Sequence, residues 1–187
     1  MRTIPSPQGL YDARHEHDAC GVAFVATLTG EASHAIVAQA LTALRNLDHR
    51  GASGAEAESG DGAGILLQIP DRFLRAVTEF DLPVPGAYAV GTAFLADDAE
   101  LADKARAEIE TLAGEERLRV LGWREVPVRP ELLGATSRAS MPTFAQLFVA
   151  ASGAPLMGIA LDRRVYCLRK RIEHEVGVYF PSLSSRT

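Results

Sequence analysis

An unbroken apolar run, Val22-Ala23-Phe24-Val25-Ala26, extended by Leu28 and stopped by the helix breaker Gly30, constrains this chain more than any other stretch. Apolar residues at successive positions predict a strand covered on both faces, and such a strand belongs in a sheet layered between other elements. Cys20 stands at the mouth of that strand, behind a short polar leader. A thiol there either packs as a small hydrophobe or is held in place to do chemistry.

The rest of the chain alternates in the same way. Ser33 is placed to cap a helix on which Val37, Leu41, Leu44 and Asp48 share a side, ending at His49-Arg50-Gly51. A small-residue stretch then leads to a second buried strand, Ile65-Leu66-Leu67-Gln68-Ile69. A short helix is expected over Arg72 to Phe80, a strand over 87–95, and a helix capped by Asp97-Asp98 with Ala102, Ala105, Ile109 and Leu112 on one face. Arg117 to Val128 reads as a strand, Glu131 to Met141 as a polar loop and Thr143 to Ala150 as another strand. A last helix, Leu156 to Val176, carries Leu161, Val165, Leu168 and Ile172 on one face. The alternation reads as one mixed α/β domain. The closing VYFPSLSSRT breaks off after a strand-like triplet and a turn, as an incomplete domain would.

At 187 residues the chain can bury a real core, and a net charge of -5 gives no reason to expect nucleic acid or an anionic membrane as partner. No apolar run approaches the length of a membrane span, and Met-Arg-Thr-Ile-Pro-Ser-Pro lacks the apolar core of a secretory signal, so a cytoplasmic location is expected. Two cysteines, Cys20 and Cys167, make neither a disulfide framework nor a zinc site. Cys167, between Tyr166 and Leu168, reads as a buried small hydrophobe, and Trp123 as a core or strand-face residue. His15 and His17 read as a solvated pair with no metal, since no third ligand of the usual spacing is near.

Cys20 needs a base, because an unperturbed thiol with a pKa of about 8.5 is mostly protonated at neutral pH. Nothing in the sequence fixes His34 or His49 beside it. A chain beginning at Cys20 would carry its own base, an α-amine with a pKa of about 7.7–8.0, once Met1 to Ala19 were removed. On the residues alone Cys20 is either that nucleophile or a core residue of a non-catalytic α/β binding or interaction module. His49-Arg50-Gly51 is explained by a helix C-cap; alternatively the same helix end delivers Arg50 towards the strand tip, where a guanidinium favours a thiolate or grips a carboxylate. Gly60-Asp61-Gly62-Ala63-Gly64 has neither the ending of a Walker loop nor the position of a dinucleotide fingerprint, and reads as a tight, close-packed lead into the second strand.

The order of these pieces is more specific than any one of them. Ala19-Cys20-Gly21-Val22, Leu44-Arg45-Asn46-Leu47-Asp48-His49-Arg50-Gly51-Ala52, Gly60-Asp61-Gly62-Ala63-Gly64-Ile65, Leu121-Gly122-Trp123-Arg124, Leu168-Arg169-Lys170-Arg171-Ile172-Glu173 and Tyr179 to Thr187 follow one another in turn. In this the chain resembles the start of the large chains of bacterial glutamate synthases, whose first domain is a class II glutamine amidotransferase of the N-terminal-nucleophile hydrolase group. The resemblance implies an α+β fold, an incomplete αββα sandwich of mostly antiparallel sheets covered by helices. It implies a leader over 1–19 and the N-terminal part of the amidotransferase domain over 20–187. It further implies L-glutamine as substrate, Cys20 as nucleophile, and Arg50 and Gly21 as substrate-binding or nucleophile-supporting residues.

The ammonia released would serve the reductive amination of 2-oxoglutarate elsewhere in the parent enzyme. By the same resemblance the chain itself holds no cofactor or metal; FMN and an iron–sulfur cluster belong to the remaining domains of the large subunit, and FAD to a small subunit. The Asn-Gly pair of the oxyanion hole, the substrate-clamping arginine and a substrate-binding aspartate are expected beyond Thr187. Loss of one oxyanion donor costs roughly a hundred- to a thousand-fold in rate, so the chain alone is expected to be a poor glutaminase.

Overall fold

The densest apolar periodicity of the sequence lies beyond residue 86, and it builds a three-stranded antiparallel sheet under two long helices. A computed structural model of the chain describes residues 21–48, 51, 56, 58, 60 and 62–186. They divide into two units, Met1–Ile65 and Leu66–Thr187.

In the second unit, helix α2 spans Asp71–Val77, strand β1 Tyr88–Leu95, helix α3 Ala99–Glu115 and strand β2 Leu118–Glu125. After a 3₁₀ turn at Pro130–Leu132 come a short helix α4, Ala135–Ala139, strand β3, Thr143–Ala151, and helix α5, Gly158–Arg171, which runs into a π-turn at Ile172–Val176. The sheet order is β1-β3-β2 with β3 central and antiparallel to both neighbours. β1 and β2 therefore run parallel to each other, joined through α3 with β3 slotted between them, a split β-α-β unit. This makes the fold α+β. Strand–helix alternation alone reads as α/β because it does not reveal that a later strand is inserted between the first two.

Alternation along the strands decides the two faces. Ala89, Ala93 and Leu95 of β1 and Ala145, Leu147 and Val149 of β3 meet Ile109 and Leu112 of α3 and the α5 stripe of Leu161, Val165 and Leu168, continued by Ile172. Those four stripe positions are fully buried, as their spacing predicts. On the opposite face Tyr88, Val90, Phe148 and Ala150 lie under Leu74 of α2 and Leu82, with the Phe80 ring edge-on to Phe148 at 5.3 Å. Further along that face Phe94 meets Phe144 at 4.8 Å and Tyr179 at 5.5 Å, and this end of the face is only half-covered. Trp123 packs against the main core, with the Arg106 guanidinium 5.5 Å from its ring centre.

Capping follows the sequence where a side chain can reach. Asp98 accepts the Leu101 amide at 2.9 Å and opens α3. The helix expected over Arg72 to Phe80 stops at Val77, because Thr78 turns extended (φ -94°, ψ 146°) and releases Phe80 into the core. The polar loop expected at Glu131 to Met141 contains α4, held by Arg138 donating to the carbonyls of Pro130 and Leu133. Cys167 is exposed, not buried: it is about 100° round the helix from the inward-facing Leu168.

The first unit contains one regular element among the described residues, helix α1, His34–Asn46. Ser33 is the N-cap in extended conformation, although its side chain makes no cap hydrogen bond. Val37 and Leu44 are half-buried, while Leu41 is exposed. The strand expected at Val22–Leu28 is not formed, and Val22, Phe24 and Leu28 are fully exposed. Nor is the strand expected at Ile65–Ile69, where Leu66 is largely exposed. A strand needs a neighbour to take its N–H and C=O groups, and the sequence of one segment cannot show that a neighbour is present.

Candidate active site

The candidate residues belong to the first unit. Cys20 and Arg50 lie outside the described residues, as do His15, His17 and His49. Gly21 is described and is exposed, at the head of the apolar segment. That segment ends in a turn: Thr29 N–H donates to Thr27 Oγ1 at 3.2 Å, Glu31 N–H donates to Thr29 Oγ1 at 3.4 Å, and Gly30 has φ +72°. Only glycine takes that conformation without strain, so Gly30 works as the breaker its position predicts.

Helix α1 ends at Asn46, with Leu47 as C-cap (φ -88°) and its amide shared between the carbonyls of Ala43 and Leu44. The end thus comes one turn before the Gly51 expected to cap it. Beyond the helix, Gly51 N–H donates to the Asp48 carbonyl at 3.0 Å. In the glycine-rich stretch Gly62 has φ +89°, which requires glycine, but a Cβ at Gly62 or Gly64 would meet nothing within 4 Å. The close packing expected there is absent at Gly62 and Gly64, and no strand follows them among the described residues.

In the second unit, a polar cluster escaped the sequence reading. Arg75 holds Asp71 through two bonds, Nε to Oδ2 at 2.9 Å and Nη2 to Oδ1 at 3.0 Å, and Tyr88 donates its hydroxyl to Asp71 Oδ1 at 3.0 Å. The Arg75 guanidinium lowers the Asp71 pKa below its ordinary 3.8, with the Tyr88 hydroxyl adding to the effect. Burial, then the Asp71 carboxylate, push the Tyr88 phenol up. The Asp–Arg spacing of four on a helix was a usable signal; Tyr88 joins only through the fold. Among the described residues no cluster of three or more His, Cys, Asp or Glu is placed to hold a metal ion, and no helix is long and apolar enough to cross a membrane.

Residues 20–187 match the family model of the class-II glutamine amidotransferases. The chain is 40% identical over 190 residues to the NADPH glutamate synthase large chain of Bacillus subtilis (strain 168), covering 98% of this chain and 12% of that protein. It is 40% identical over 177 residues to ferredoxin-dependent glutamate synthase 2 of Synechocystis, covering 92% of this chain and 11% of the relative. It is 38% identical over 208 residues to the NADH glutamate synthase of Saccharomyces cerevisiae, covering 98% and 9%. Relatives named for three different electron donors thus match about equally well, and the chain spans about an eighth or less of their length.

Proposed function

Because this chain belongs to the class-II glutamine amidotransferases, we propose that it is the glutamine-hydrolysing part of a glutamate synthase, with Cys20 as nucleophile. The observation that carries the reading is the family match over residues 20–187, which opens on Cys20 itself. Removal of residues 1–19 would give Cys20 a free α-amine beside its thiol. The amine takes the thiol proton, and the thiolate attacks the side-chain amide carbon of glutamine. The resulting oxyanion collapses as the ammonium returns its proton to the departing nitrogen, releasing ammonia and leaving a glutamyl thioester. Water, deprotonated by the same amine, opens the thioester to glutamate and restores the thiol. Arg50 and Gly21 stand nearest in role as nucleophile-supporting or substrate-binding residues. The ammonia would aminate 2-oxoglutarate in the remaining domains, where FMN, an iron–sulfur cluster and a partner subunit with FAD would act. A cluster held by four thiolates needs more cysteines than the two of this chain, which favours the remaining domains as its site.

We further propose the αββα sandwich as the architecture of the complete domain. The three-stranded sheet has one face under α3 and α5 and the other half-covered, and the apolar segments 22–28 and 65–69 have the sequences of strands buried on both faces. Both features are what one half of such a sandwich presents.

The test is the intact mass of the full-length gene product, paired with glutaminase assays of Cys20→Ser and Cys20→Ala. A species beginning at Cys20, and a loss of about a thousandfold or more in both variants, are expected. A fully active product still beginning at Met1, or undiminished activity in Cys20→Ala, would return Cys20 to the reading of a core residue in a binding module.

A further inference from the structure

After the π-turn the chain does not leave the second unit but doubles back along the outer edge of β1. The segment Val178–Arg186 is held there by two isolated bridges and not by a ladder. Val90 N–H donates to the Ser184 carbonyl at 3.0 Å, Ser184 N–H returns to the Val90 carbonyl at 3.2 Å, and Phe94 N–H donates to the Tyr179 carbonyl at 3.0 Å. Between the bridges the segment lies so close to the strand that a Cβ at Gly91 would clash with the Ser182 carbonyl and with Leu183, whose Cδ1 would be 2.9 Å away. Val178, Phe180 and Leu183 are buried in the main core, so packing holds most of the segment. Its polar end, Ser184–Arg186, carries no apolar residue, and one further backbone bond reaches it, Ile69 N–H to the Arg186 carbonyl at 2.9 Å.

What fixes it sits on α5. Asp162 Oδ1 accepts the Ser185 amide at 2.8 Å, the Ser185 hydroxyl at 2.8 Å and the Ser184 hydroxyl at 3.3 Å. Asp162 Oδ2 pairs with Arg186 Nε at 3.2 Å. Ser185 is the buried polar residue among the described residues, 6% exposed, and both of its donors go to one carboxylate oxygen. Burying Ser185 therefore depends on Asp162, because a buried donor without an acceptor carries its full desolvation cost. An open depression of about 340 Å³ lies beside this junction, lined by Asp162, Arg163, Tyr166, Leu183 and Ser184.

We propose that Asp162 is the latch that decides whether the polar end of this segment, Ser184–Arg186, is docked beside β1. That end is seated while the carboxylate collects the Ser184, Ser185 and Arg186 donors, and it peels from Val90 when that acceptor is lost, while Val178, Phe180 and Leu183 stay packed and the β1-β3-β2 sheet stays intact. Asp162 acts by positioning, through the segment it holds.

The test is hydrogen–deuterium exchange of the full-length protein and its Asp162→Ala and Asp162→Asn variants. The Ser184 and Val90 amides are expected to exchange about tenfold faster or more in Asp162→Ala, and by a smaller factor in Asp162→Asn, which keeps one oxygen for Ser185, while the Phe94 amide keeps its protection. Amides of β3 are expected to keep their wild-type protection. Unchanged protection of Ser184 and Val90 overturns the proposal. So does an equal loss over these two amides and β3, which would make Asp162 a general stabiliser. Should Asp162→Ala fail to fold, Asp162→Asn and Ser185→Ala carry the same comparison, with loss selective for Ser184 and Val90 expected in both.

Discussion

Asp71, Arg75 and Tyr88 show how a single carboxylate can tie a helix to a strand. Arg75 also donates to the carbonyl of Leu82 at 2.7 Å and to that of Pro83, so Asp71 steadies the loop that leads into β1 as well as the start of α2. The Asp71 pKa is lower folded than its ordinary 3.8, so its contribution is present above that value and is lost as pH falls through the folded one. Asp71→Asn is therefore expected to cost about 1 kcal/mol at pH 7 and progressively less as pH falls below 3.8, read as the gap between urea midpoints along a pH series. The helix pair Asp71–Arg75 is visible as a spacing of four; its third member, 17 residues away, is not. The same limit applies to the candidate site. Cys20 could be singled out because a thiol at the mouth of an apolar run is an unusual placement, whereas nothing local ties Arg50 to it, and Gly21 is tied to it by chain neighbourhood alone.

Helix α3 tests how far a pattern of apolar residues can be trusted as a guide to packing. Ile109 is fully buried between sheet and α5, while Leu101, on the same helix, is 58% exposed. Ile109→Ala is expected to cost about 2–5 kcal/mol and Leu101→Ala less than about 0.5 kcal/mol, compared by chemical denaturation. The periodicity of α3 and α5 identified their buried faces because a helix of three turns or more repeats the same side several times. The five- to seven-residue segments 22–28 and 65–69 offer no such repetition, and their apolar content describes only what they would do once paired. β2 illustrates the complementary case. Its outer side has no strand partner among the described residues, yet a bulge between Val120 and Gly122, with Arg119, Arg124 and Glu125 along the strand, blunts it as a template for another chain.

Across the whole molecule the order is uneven. The second unit has a layered core on both sides of its sheet, while the first exposes Val22, Phe24 and Leu28 and contributes α1 as its regular element among the described residues. If 22–28 is a strand of a second sheet layer in the complete domain, its amides are expected to be at least about a hundredfold protected from exchange in the full-length gene product. Exchange there at the rate of an open chain would remove the second layer from the proposed architecture. By itself the sequence determined the family, through the ordered motifs from Cys20 to Arg186, and it determined the long helices α3 and α5 and the three paired strands, because their periodicity is local; the short α4 it read as a loop. The tertiary structure alone decided that β3 lies between β1 and β2, that Cys167 faces outward, and that Ser185 can be buried. Each of these rests on partners such as Asp162, brought near by chain reversals that no local pattern encodes.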